Sequence, residues 1–400
     1  MQFKDVIGQN ELKKDFIREI KHGKIAHAQL FMGSLGHGGL PLALAFTQYL
    51  FCKNPTETDS CGLCSSCLKV QDLQHPDVHF VYPVVQAISK ISDSFLTDWR
   101  KQVKEEPYFD AYSWTKRIDS KERKPIIGTE ESVEIIRKLN LKSYEGGYKV
   151  MLIWLPEEMN ATCSNKLLKI LEEPPKNTLF LLVSEDPSKL LVTIQSRTQF
   201  IRIPKIESEY LTQKLVARFQ LETAQAESIT AFSEGNFIQA YDFLNAADDK
   251  GIYREHFIQL MRTSYKKDVL GMMQWADGIA AEGKERQKLF IQYALHMFRQ
   301  SLLSNYMGDV LLRISSEEEQ FLKIIKFTPS IFVIIISFFM ILFLYFESKK
   351  TFNEEKTGIE QKYILKNRNV NNFISIISTI PTISPPARGT KNHALRFWGK

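Results

Sequence analysis

The chain has 400 residues, 44% hydrophobic and 24% charged, enough apolar material for roughly two or three packed domains. Its net charge of +6 sits in residues 327–400, which hold ten Lys/Arg and four Asp/Glu, while residues 1–326 carry 42 of each and are neutral. Bulk charge therefore gives no argument for nucleic-acid binding and leaves only a local basic stripe open. The start, Met1-Gln2-Phe3-Lys4-Asp5, has no apolar signal region, so a cytoplasmic protein is expected.

Residues 10–22 read as a helix with Leu12, Phe16, Ile17 and Ile20 on one face, and 28–32 as a short buried strand. A glycine-rich turn follows, Gly33-Ser34-Leu35-Gly36-His37-Gly38-Gly39, and then an apolar helix from Leu40 to Phe51. Strand, glycine loop and helix are the layout of a phosphate-gripping P-loop, G-x-x-x-x-G-K-[ST], whose Lys meets the terminal phosphates and whose hydroxyl holds magnesium. Gly33 and Gly38 stand at the glycine positions, but Gly39 replaces the Lys and Leu40 the Ser/Thr. The shape of the cradle is kept, with Gly36 inside it, and tight ATP binding is not expected.

Four of the five cysteines follow at once, Cys52, Cys61, Cys64 and Cys67, spaced C-x8-C-x2-C-x2-C. In a cytoplasmic chain such clustering points to a metal rather than to disulfides, and four thiolates close a structural zinc site with no open position. Cys163 stands apart and reads as a packed small residue. Between about Val85 and Ser143, Trp99, Tyr108, Phe109, Tyr112 and Trp114 are interleaved with Lys and Arg. Stacking platforms for single-stranded nucleic acid would look like this, but aromatic packing of an insertion is the reading preferred.

A second buried strand spans 149–154 and ends Ile153-Trp154-Leu155-Pro156, with Trp154 and Leu155 where an ATPase places its metal-holding and water-polarising acids. Glu157 and Glu158 lie further on, at the expected start of a helix. A helix over 164–172 stops at Pro174-Pro175, and strands over 178–183 and 198–203 follow. Between them, Thr193-Ile194-Gln195-Ser196-Arg197 presents an Arg on a short helix, either a solvated surface cation or an arginine finger aimed at another subunit's nucleotide. Strands alternating with helices predict an α/β parallel sheet covered on both faces. After Pro204 the text becomes all-helical, short helices over 207–245 and longer ones over 250–326, with boundaries near 205 and 248.

Several segments together resemble the clamp-loader subunits of bacterial DNA polymerase III, of the AAA+ family of P-loop NTPase-like proteins. They are Val6-Ile7-Gly8-Gln9, His27-Ala28-Gln29-Leu30-Phe31-Met32-Gly33, the spaced cysteines, Asn165-Lys166-Leu167-Leu168-Lys169-Ile170-Leu171-Glu172-Glu173-Pro174-Pro175 and Ser196-Arg197-Thr198, with Thr198 in place of the family's Cys. The resemblance covers residues 1–245 well and 250–326 loosely. It implies an AAA+ core over 1–205 with a zinc module at 52–67, a helical lid over 206–247 and a helical collar over 248–326. It further implies a non-hydrolysing member of a hetero-pentamer with the ATP-binding gamma/tau subunits and the delta subunit. Arg197 would act in trans on a neighbour's ATP, Ser196 would position it, and the ring would load the sliding clamp on primer-template DNA. The alternatives are an active gamma/tau-like ATPase subunit, or a membrane-tethered zinc-binding interaction protein.

The last stretch departs from the family. Ser330–Phe346 is a seventeen-residue run without charge, followed by polar, Asn- and Ile-rich text to Lys400. Such text over 327–400 is expected of a frameshifted tail, which leaves the collar incomplete. The alternative is a C-terminal membrane anchor at 330–346, at the short end of the range for a span, with Lys349-Lys350 on the cytoplasmic side.

Overall fold

The computed structural model describes residues 1–307 apart from 246–249, 267 and 283. The tail over 327–400, with its apolar run 330–346, and the end of the expected collar lie outside the described residues. Among the described residues no helix is long and apolar enough to cross a membrane.

The chain forms two compact units, Met1–Asp242 and one beginning at Phe243. The first unit is built on five strands: β1 (Ala28–Met32), β2 (Val78–Val81), β3 (Lys149–Trp154), β4 (Thr178–Ser184) and β5 (Gln199–Arg202). Its helices up to the third strand are α1 (Asn10–Lys21), α2 (Gly39–Phe51), α3 (Ser65–Gln71), α4 (Leu96–Glu105), α5 (Ala111–Ile118) and α6 (Thr129–Asn140). Then come α7 (Ala161–Glu172), the single turn α8 (Val192–Gln195), α9 (Ser208–Phe219) and α10 (Thr223–Ser233), while α11 (Phe237–Asn245) spans the boundary in sequence between the two units. The second unit contains α12 (Lys250–Lys266), α13 (Val269–Ala281) and α14 (Lys284–Met307). It buries Phe257, Trp275, Phe290 and Tyr293.

The sheet is wholly parallel, in the order β2-β3-β4-β1-β5. A parallel sheet is covered on both faces, so its strands are continuous apolar runs rather than alternating ones. β3 and β4 are buried along their whole length. Successive side chains go to opposite faces: Val150, Leu152 and Trp154 join one core with α2, and Met151 and Ile153 join the other with α7. Helix α2 is apolar on every side because it is itself interior, buried from Leu40 to Tyr49.

Four of the five aromatic residues named in the 85–143 insertion are core, and the fifth, Tyr112, is half-buried with its hydroxyl donating to Glu122 at 3.3 Å. Trp99 and Trp114 are fully buried, and Tyr108 and Phe109 are buried beside them. Trp99 stacks on Tyr82 at 4.1 Å and touches Phe109, Trp114 and Trp154, while the Trp114 indole N–H donates to the Pro83 carbonyl at 2.8 Å. These rings present no face on which a base could stack. Cys163 is likewise a buried packing residue in α7.

Candidate functional site

The glycine loop leaves the C-terminal end of β1 and enters α2 at Gly38, the place where a parallel α/β sheet presents backbone N–H groups to an anion. Two of its glycines are required by their surroundings. Gly36 has φ +76°, and a Cβ there would lie 1.8 Å from the Asn236 side-chain oxygen. Its carbonyl accepts the Phe237 N–H at 3.1 Å, which ties the loop to the start of α11. Gly38 has φ +94°, and a Cβ there would come 3.1 Å from the Tyr108 ring and hydroxyl.

Tyr108 closes the space above the loop. Its hydroxyl accepts the Ile7 N–H at 2.9 Å, and its ring packs 4.9 Å from that of Phe237. The segment leading to it is pinned from α9, where Arg218 pairs with Glu106 at 2.8 Å. Phe109 and Trp154 fill the floor, 4.8 Å apart. The cavity left among Gly33, Gly36, Gly38, Gly39, these rings and Glu185 is about 30 Å³. That holds one or two waters. His37, the one ionisable residue in the loop, is pushed below its ordinary value, chiefly by burial, and so is neutral at pH 7.

Beyond Trp154 the backbone makes a 3-10 turn over Pro156–Glu158, so Glu157 and Glu158 open a single turn rather than a full helix. Glu157 Oε1 accepts the N–H groups of Glu185 and Asp186 at 2.8 and 3.0 Å, which fixes the end of β4. Glu158 pairs with Lys124 at 3.0 Å. Glu185 was not among the expected site residues. Burial, reinforced by the Glu157 and Asp110 carboxylates, pushes its carboxyl up to about 8. The signal for it in the sequence is only its place directly after a buried strand.

Ser196 and Arg197 follow α8 and precede β5. Because β5 runs parallel to β1, with Gln199 beside Gln29 and Arg202 beside Met32, Arg197 lies at the N-terminal end of the strands. The glycine loop lies at their C-terminal end, and neither Ser196 nor Arg197 lines its cavity. Arg197 Nε donates to Glu172 Oε1 at 2.7 Å, and Nη1 donates to the Thr193 carbonyl at 2.7 Å. The Ser196 hydroxyl donates to the same Thr193 carbonyl at 3.1 Å. Thr198 donates its hydroxyl to Gln195 O at 2.9 Å, closing the turn.

The four spaced cysteines converge. Cys52 ends α2, Cys64 caps α3, and Cys67 lies within α3. The four sulfurs all lie within 4.8 Å of one another, with Cys61 and Cys67 Sγ 3.9 Å apart, and none is in a disulfide. A tetrahedral ion with arms of about 2.3 Å needs sulfurs about 3.8 Å apart, so the donor set fits a metal such as zinc. Backbone N–H groups already point at the sulfurs, from Cys61 to Cys52 at 3.2 Å and from Cys64 to Cys61 at 3.4 Å. Such donors favour thiolate: those of Leu63 and Cys64 bring the Cys61 thiol down to about 6. The module is fastened to the N-terminus, where Asp59 accepts the Phe3 and Lys4 N–H groups and Gln2 donates to Ser60 O.

Residues 8–207, half of the chain, match the model of a family described as DNA polymerase III, delta subunit. Among curated proteins, the delta' subunit of DNA polymerase III from Bacillus subtilis is 27% identical over 208 residues, 52% of this chain and 51% of its own length. That from Pseudomonas aeruginosa is 30% identical over 216 residues, 54% of this chain and 55% of its own. The tau subunit from Bacillus subtilis is 24% identical over 322 residues, 76% of this chain and 50% of its own. The chain thus spans about half the length of the curated relatives it matches. A solved Thermotoga maritima gamma subunit-related protein aligns over 84% of this chain and 98% of its own at 14% identity, with a TM-score of 0.35, a likeness too loose to bear on function.

Proposed function

The chain belongs to the DNA polymerase III delta-subunit family, and from that membership we propose that it is a non-hydrolysing, delta-prime-like clamp-loader subunit. In this reading it does not bind ATP tightly. It lends Arg197 to the nucleotide of a neighbouring gamma/tau-type subunit, within a cytoplasmic ring that also holds a delta subunit and places the sliding clamp on primed DNA. The observation that carries the reading is the state of the glycine loop. It has no cation and no hydroxyl at the P-loop positions, and Tyr108, Phe109 and Trp154 line the small cavity of about 30 Å³ beside it.

The place of Arg197 supports the second half. At the far end of β5 from the loop it is badly placed for its own chain's cradle, and it is suited to an incoming surface. An arginine there would stabilise charge on a transferring phosphoryl group, the role that makes such residues worth large factors in rate. Ser196 and Thr198 hold the turn that presents it. The cysteines carry no part of that chemistry. Cys52, Cys61, Cys64 and Cys67 would hold a structural zinc, which when bound joins the end of α2 to α3 and supplies folding energy.

The match to a tau subunit over 76% of the chain favours a second reading, an ATP-binding subunit of the same ring. It requires a Lys where Gly39 stands and an Asp where Trp154 stands. The two readings separate in a reconstituted loader. Added to the gamma/tau-type and delta subunits, the wild-type chain should raise DNA- and clamp-dependent ATPase, and Arg197→Ala should lose most of that gain. Equal rates for the two chains would remove the finger role. The purified chain should carry one zinc that Cys64→Ser cannot retain.

A further inference from the structure

Arg197 is not open to a phosphate in this structure. Its Nε and Nη2 both donate to the one oxygen Glu172 Oε1. Its Nη1 donates to Thr193 O at 2.7 Å and lies 3.4 Å from the Ser196 hydroxyl. A guanidinium grips a phosphate along one edge, through two parallel N–H groups. Here Glu172 occupies the Nε–Nη2 edge, and the backbone holds the Nη1 corner of the other edge. No complete edge remains until the carboxylate lets go.

Glu172 is well placed to hold and then release the arginine. It is the last residue of α7, just before Pro174-Pro175, so its position is set by the helix rather than by the turn that carries Arg197. The helix end is itself anchored, since the Leu171 carbonyl bonds the His27 ring at 3.0 Å at the foot of β1. The ion pair is open to solvent, with 49% of the Glu172 side chain and 29% of the Arg197 side chain exposed. Exposed pairs are weak and screened by salt, and a nucleotide's terminal phosphate carries more charge and more acceptors than one carboxylate.

We propose that Glu172 is a positioning residue that parks Arg197 while the chain is unassembled and yields it to phosphate when a nucleotide-loaded neighbour docks. This rests on the arginine-finger reading above. Parking orders the side chain on the correct face and keeps an unpaired cation from the surface. The cost is that each docking event must first displace the carboxylate. Glu172→Gln keeps the length and one acceptor oxygen but removes the charge, so it lowers that cost without altering the finger.

The test titrates the full chain into the ATP-binding and delta-type subunits and follows ATPase. Glu172→Gln should reach half-maximal stimulation at about two- to five-fold lower concentration than wild type, the range that exposed ion pairs allow, with the same plateau. The gap should close as salt rises. Arg197→Ala and the double variant should coincide, both with little stimulation. Superimposable wild-type and Glu172→Gln titrations, with Arg197→Ala inactive, would overturn the parking and leave the finger standing. A lowered plateau in Glu172→Gln would also overturn it, by making the carboxylate part of the active geometry. Full stimulation by Arg197→Ala would remove the finger and the parking together. In the isolated chain the Arg197 Nε–H should exchange with solvent more slowly in wild type than in Glu172→Gln, and equal exchange would count against the pair.

Discussion

The glycine loop and the Arg197 turn lie at opposite ends of neighbouring strands, β1 and β5, and their surroundings are opposite in character. The loop is bordered by packed rings: Trp154 is 1% exposed, and Tyr108 takes the Ile7 N–H with its hydroxyl. At the turn the Arg197 cation is held by surface bonds to Glu172, Thr193 and Ser196. The lesson is one of location. A residue in an interior site must fill the room around it, so what stands at the loop is constrained by packing. A surface cation contributes little to the core, so the packing places little constraint on it.

That contrast predicts how substitutions divide. Trp154→Ala should cost about 3–5 kcal/mol in chemical denaturation, the range for deleting a buried aromatic, with no gain of ATP binding. A loss under about 1 kcal/mol would mean that the ring is not structural and that the two ends do not differ as claimed.

Glu185 gives a smaller, pH-dependent effect. Its carboxyl is raised from 4.5 to about 8 by burial, so the folded state binds the proton more tightly than the unfolded one. Its contribution is whole below about pH 4.5 and fades as pH rises to about 8. Glu185→Gln is neutral at every pH. It should match wild type near pH 4.5 and exceed it by about 1–3 kcal/mol at pH 8.5. Parallel stability curves would show that the carboxyl is not desolvated beside the loop.

Arg197→Ala should change stability least, by no more than about 0.5–1 kcal/mol, since it deletes one exposed ion pair. A larger loss would make Arg197 a structural residue and blur its difference from Trp154.

Much of this was readable from the sequence because it depends on local order. The runs Ala28–Met32 and Lys149–Trp154 are strands at the residues expected, since continuous apolar stretches between glycine and proline signals have few other uses in an α/β chain. The cysteine spacing foretold the convergence of four sulfurs. What escaped depends on distance or on a weak local signal. β2 is four residues, Val78-His79-Phe80-Val81, set between Pro76 and Pro83. Helix α7 starts at Ala161 rather than Ser164 because the Asn160 side chain accepts the Cys163 N–H at 2.8 Å. Tyr108 reaches Ile7 across 101 residues, and Glu172 meets Arg197 across 25, so no window of sequence contains either pair.

Calorimetry of the purified chain with magnesium-ATP tests most directly whether the glycine loop lacks a nucleotide site. No heat of binding up to millimolar nucleotide is the predicted result, with the intrinsic tryptophan fluorescence unchanged across the titration. Saturable, magnesium-dependent binding in the micromolar range would contradict the account.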